Sequence, residues 1–185
     1  MKKFLSLMLA AVILFSLTAC ADIRPSGDKI SVISSIFPSY DFAKKICEGV
    51  DGTEVSMLIT PGTEPHSYEP GVRDMAKIKE CDLFIYLGGE SDEWVESLLE
   101  TFDSGEINTL KMTDCVELLG EEDIEGMRHS HDSHEEAHGE NDEHVWTSPV
   151  NAVLISEKIK DKLCSADPQN KDKYTQNFEE YKKEL

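Results

Sequence analysis

Apolar positions in the first half of the chain follow two alternating rhythms. Ile30 to Phe37 is a run of β-branched and apolar residues that reads as a strand. Pro38 then opens a stretch to Glu48 in which Phe42, Ile46 and Cys47 recur at helical spacing. Thr53 to Ile59 predicts a second strand. Val72 to Lys79 predicts a helix with Val72, Met75, Ala76 and Ile78 on its apolar side. Asp82 to Leu87 is a short apolar strand closed by Gly88-Gly89. Asp92 to Phe102 predicts a helix presenting Trp94, Val95, Leu98 and Leu99 on one face, and Ile107 to Met112 a fourth strand. Strands alternating with helices predict an α/β fold with a parallel sheet and right-handed crossovers. Ligands of such sheets bind beyond the carboxyl ends of the strands, so the loop after the second strand is a place to look for chemistry.

The rhythm breaks between Glu121 and Glu143, a stretch with ten acidic residues, one Arg and four histidines. It holds too few apolar side chains to offset the entropy of ordering, and a flexible loop over about 120–143 is expected. Order should resume at His144-Val145-Trp146. Ser148 and Pro149 read as an N-cap and first helical position, followed by Ala152, Ile155, Ile159 and Leu163 on one face. Asp167-Pro168 repeats the cap-plus-proline signal, and Tyr174, Phe178, Tyr181 and Leu185 form a further stripe. Nothing in the sequence stops that last helix, so it is expected to run on past Leu185, as in a truncated chain.

The amino terminus changes the setting. Lys2 and Lys3 precede an apolar run from Phe4 to Ala19, shorter than the ~20 residues of a membrane-spanning helix. This is the pattern of a secretion signal over residues 1–19. Leu17-Thr18-Ala19-Cys20 resembles the bacterial lipoprotein signal, which implies cleavage before Cys20 and lipid on its sulfur; a plain signal peptide with a chance cysteine is the alternative. Stable anchoring takes more than one acyl chain, which bacterial lipoprotein lipid supplies. Residues 20–29, with Pro25, Ser26 and Gly27, read as a tether. A net charge of −19 argues against nucleic acid as a partner and suits attraction of cations. Cys47, Cys81, Cys115 and Cys164 show no CxxC pair. Export permits disulfides, so their pairing stays open, although Cys47 and Cys81 sit in apolar-periodic segments that favour core packing.

Histidines carry the candidate chemistry. His66 lies in Thr60-Pro61-Gly62-Thr63-Glu64-Pro65-His66-Ser67-Tyr68-Glu69-Pro70, where three prolines stiffen the loop. A stiff loop holds a metal ligand with little entropy loss on binding, and imidazole is the commonest such ligand. His144 stands where the acidic loop re-enters the fold, beside Trp146. His129, His131, His134 and His138 lie among carboxylates, and such a chain can assemble the nitrogen and oxygen shell that zinc accepts. They are candidates for a weak, exchangeable capture site.

"PGTEPHSYEP" followed some eighty residues later by "DEHVWTSP" resembles the zinc and manganese solute-binding lipoproteins of ABC importers, the cluster A-I metal-binding family. "CDLFIYLGGESDEWVESLLE" resembles that family's strand, glycine turn and helix, and "DPQNKDKYTQNFEEYKKEL" its long helix between two lobes. The resemblance covers nearly all of the chain after Cys20. It implies an N-terminal lobe with a four-stranded parallel sheet flanked by helices, then the inter-lobe helix. It makes His66 and His144 the first two metal ligands. The family's third and fourth ligands, from the second lobe, would lie beyond Leu185. Some zinc members carry a glutamate immediately before the first histidine; here that place is Pro65, and Glu64 is one residue farther off. Zinc-uptake members often have a histidine-rich acidic loop that manganese members lack, so the loop favours Zn2+ over Mn2+.

The expected layout is therefore a signal (1–19), a lipidated tether (20–29), a metal-binding lobe (30–147) and helices leading into the linking helix (148–185). The expected function is an extracytoplasmic zinc receptor, a monomer held to the membrane through Cys20, that delivers its ion to an ABC importer permease. A manganese receptor on the same scaffold is the alternative, and a surface adhesin is suggested only by export and anchoring. A zinc hydrolase would use two histidines and an acid with an open position for water, but no HExxH and no clear general base is present, so no enzyme activity is expected.

Overall fold

The computed structural model describes residues 29–89, 92–103, 105–118 and 142–185. Four parallel strands, β1 (Ile30–Ser34), β2 (Thr53–Met57), β3 (Leu83–Tyr86) and β4 (Thr109–Lys111), form one sheet in the order β2-β1-β3-β4. Val32 pairs with Val55 on one side and Leu83 on the other, and Ile85 pairs with Leu110. Five helices accompany them: α1 (Phe37–Ile46), α2 (Val72–Glu80), α3 (Glu93–Leu99), α4 (Pro149–Ala166) and α5 (Lys171–Glu184).

The two-residue period of β3 separates two cores. Leu83 and Ile85 enter the larger one with Phe42, Ile46, Ile155, Ile159 and Phe178. Phe84 and Tyr86 enter the smaller one with Ile78, Val95 and Leu98. A strand buried on both faces has no polar positions, which accounts for the unbroken apolar run there. The expected α/β lobe is thus present, with α1, α4 and α5 on one face of the sheet and α2 and α3 on the other.

Three local expectations change. The apolar face predicted for α2 reduces to Ile78: Val72 is 82% exposed and Met75 lies at the surface. Tyr68 and Trp94, packed edge-to-face at 5.5 Å, cover that part of the sheet instead. Asp167 does not cap a helix with its side chain. Its buried carboxylate accepts bonds from Tyr174 Oη (2.9 Å) and Asn170 Nδ2 (2.7 Å) across a single turn, Pro168–Asn170. The stripe on α5 is used inside this lobe: Tyr174, Phe178 and Tyr181 are buried, and Asn177 Nδ2 donates to Ile46 O and Glu48 O at 2.8 Å each. Those two bonds satisfy carbonyls that the end of α1 leaves unpaired.

Cys47, Cys81, Cys115 and Cys164 are all free thiols. Burial pushes Cys47 and Cys81 up to about 12 and Cys115 up to about 11, the behaviour of thiols packed in apolar surroundings. Among the described residues no helix is long and apolar enough to cross a membrane. The signal segment and Cys20 lie outside those residues.

Candidate metal centre

Parallel strands bring their carboxyl ends to one edge, and the strand order reverses between β1 and β3, which opens a crevice there. Asp92 ties together the loops that follow β1 and β3. This residue is fully buried, and its Oδ2 accepts bonds from Ser35 Oγ (3.0 Å) after β1 and from the N–H groups of Leu87 (2.5 Å) and Gly88 (3.4 Å) after β3. Burial holds the Asp92 carboxyl above its ordinary value; the three bonds pull the other way, and the charge of Glu143 adds to the upward shift.

At this edge lies a cleft of about 350 Å³, walled by the loops after β1, β2 and β3 and by the segment Glu143–Trp146. His66 and His144 both line it. His66 sits in a single turn, Pro65–Ser67, which opens on a proline. Glu64 Oε1 accepts from His66 N (3.4 Å) and Ser67 Oγ donates to Glu64 O (3.4 Å), so the Glu64 carboxylate serves the backbone of the turn. The Thr60 and Thr63 hydroxyls share a hydrogen bond of 3.1 Å at the loop's other end.

His144 is held differently. It precedes a single turn, Val145–Thr147, whose Val145 is buried in the larger core. Ser148 then caps α4 by accepting from Asn151 N at 3.5 Å, as its sequence predicts. Asp142 Oδ1 accepts from His144 N (2.8 Å) and lies 2.9 Å from His144 Nδ1. The two bonds to His144 hold the Asp142 carboxyl below its ordinary value. A carboxylate on Nδ1 places the proton there and leaves the Nε2 lone pair for a metal, the usual arrangement behind a ligating histidine.

A further carboxylate enters the cleft without having been singled out in the sequence. Glu143 is mostly buried, and its Oε1 stands 4.0 Å from His66 Nε2. Nothing in the sequence separates it from the ten acids of its stretch. Asp92 likewise reads there only as the start of a helix. His129, His131, His134 and His138 fall outside the described residues. Among the described residues no three His, Cys, Asp or Glu side chains are already gathered into a metal cage. Two imidazoles and a carboxylate around one cleft are nevertheless a donor set that zinc accepts.

Residues 32–185 match the model of the ZnuA family, described as the periplasmic component A of the zinc-uptake complex. The chain belongs to this family. The zinc-binding lipoprotein AdcA of Streptococcus pneumoniae is 38% identical over 187 residues, which take in 100% of this chain and 36% of that protein. The chain therefore spans just over a third of that relative's length. The crystal structure of the Zn(II)-bound ZnuA-like domain of S. pneumoniae AdcA superposes with a TM-score of 0.67 at 33% identity, covering 84% of this chain and 51% of that one. A Mn-bound periplasmic metal binding protein from Candidatus Liberibacter asiaticus also superposes with a TM-score of 0.67, at 26% identity, covering 84% of this chain and 53% of that one. The four-stranded lobe is thus the family's fold, and its cleft is where the two sequence motifs meet.

Proposed function

We propose that this chain is the zinc-receiving lobe of an extracytoplasmic receptor that hands its ion to an ABC importer permease, with His66 and His144 as ligands. The observation that carries this reading is the meeting of both histidines, eighty residues apart in sequence, in one cleft at the carboxyl edge of the sheet. The Asp142 contact to His144 Nδ1 supports it, as does the zinc named for the AdcA relative and its domain. Residues 1–19 direct export, residues 20–29 tether the fold through lipidated Cys20, and His129, His131, His134 and His138 gather zinc for the cleft. Residues 148–185 lead from the lobe toward the helix that links it to a second one. Zinc is cargo, and no catalytic step is involved.

Zinc titrations test the ligand pair. In a chain lacking residues 129–140, His66→Ala or His144→Ala should each weaken zinc binding roughly tenfold or more. If His66→Ala changes nothing while the deletion alone abolishes binding, the loop is the working site and the cleft is not. The manganese-bound neighbour motivates the second reading. A cleft that prefers manganese over zinc in competition, after loop deletion, would reverse the assignment of cargo.

A further inference from the structure

We infer that Glu143 is a third metal ligand of the cleft, donating its carboxylate beside His66 and His144. The inference rests on the reading that the cleft takes a divalent cation. Glu143 Oε1 lies 4.0 Å from His66 Nε2. A tetrahedral zinc with bonds of ~2.0–2.2 Å sets its donors about 3.3 Å apart, so less than an ångström of side-chain movement brings both onto one ion. The Glu143 side chain is only 12% exposed, unlike a solvated carboxylate in an acidic loop. Its backbone is fixed by the anchor that fixes His144: Val145 N donates to Glu143 O at 2.7 Å, and Val145 itself is buried in the core.

Gly89, after β3, lies against the carboxylate. Gly89 has φ +105°, and a Cβ there would collide with Glu143 Oε2. The glycine after β3 therefore does two things: it adopts a backbone angle that L side chains avoid, and it keeps open the space that the carboxylate fills. A hard oxygen donor beside two imidazoles also moves the site toward manganese, so Glu143 sets selectivity as well as affinity.

The test uses the full chain with the four loop histidines replaced by serine, and zinc, manganese and cobalt(II) as probes. Glu143→Gln should weaken zinc binding roughly ten- to a hundredfold, weaken manganese binding by a larger factor, and shift the cobalt d–d bands as an oxygen ligand is lost. Glu143→Asp should recover part of the loss, and Gly89→Ala should imitate Glu143→Gln; circular dichroism checks that each variant is folded. Unchanged zinc affinity in Glu143→Gln overturns the inference. So does weaker binding with an unaltered cobalt spectrum, which would mean that Glu143 only orients His66. If His66→Ala and His144→Ala are also without effect, the cleft reading itself fails; if they matter and Glu143→Gln does not, only the third ligand is lost.

Discussion

The two segments that carry the histidines are built on opposite plans. The His66 loop is stiff on its own account: prolines at 61, 65 and 70, a hydroxyl pair, and Glu64 folded back onto its own turn. The hydrogen bonds described for residues 60–67 are short-range and exposed, and Tyr68 beyond them packs against Trp94. The His144 segment has local bonds of its own, from Asp142 to His144, but takes its position from the core through buried Val145 and the Ser148 cap on α4. One wall is thus preset by covalent geometry, and the other is only as firm as the fold behind it. Perturbing the first should move binding alone, whereas perturbing the second should move binding and stability together.

The largest effect is expected at Asp92, which bonds the loops after β1 and β3 together. Asp92→Ala leaves the Leu87 and Gly88 N–H groups and the Ser35 hydroxyl without their acceptor, and should cost about 2–4 kcal/mol of folding stability in urea titrations. Asp92→Asn separates the bonds from the charge. The folded carboxyl is held above its ordinary 3.8, so this group's contribution to stability is complete below that value and is lost as pH rises through the folded one. The asparagine variant should therefore gain on the parent as pH rises above that ordinary value, and a gap that narrows instead would contradict the buried-charge account.

Val145→Ala comes next, at about 1.5–2.5 kcal/mol for two buried methyl groups. Zinc affinity should fall with it. The smallest effect belongs to Pro65→Ala, which frees the backbone at roughly 0.4–1 kcal/mol, a two- to fivefold loss of zinc affinity, with the melting temperature unmoved. Should Pro65→Ala unfold the chain, or Val145→Ala spare the metal site, the contrast between the walls is wrong.

Much of this was legible in the residues. The alternation of strand and helix rhythms predicts the sheet, and β3 is apolar on both faces because it sits in the middle. His66 and His144 stood out through motifs that resemble a family. Asp92 and Glu143 did not, because their roles come from partners far off in sequence: Ser35 lies 57 residues from Asp92, and Glu143 meets a glycine after β3. No periodicity reports a carboxylate's burial when that burial comes from tertiary packing. Val72 fails in the opposite sense, an apolar residue at correct helical spacing whose place over the sheet is taken by aromatic side chains from other segments.

The strand order also bears on how the lobe comes into being. β2 docks on β1, β3 docks on β1, and β4 docks on β3, so every strand finds its neighbour already present in the preceding chain. The sheet can grow in the order of synthesis, each new strand adding to an edge that an earlier one has left open. The wall bearing His144 comes after all four strands. The cleft that His66 and His144 line is therefore completed after the sheet, once α4 packs behind Val145.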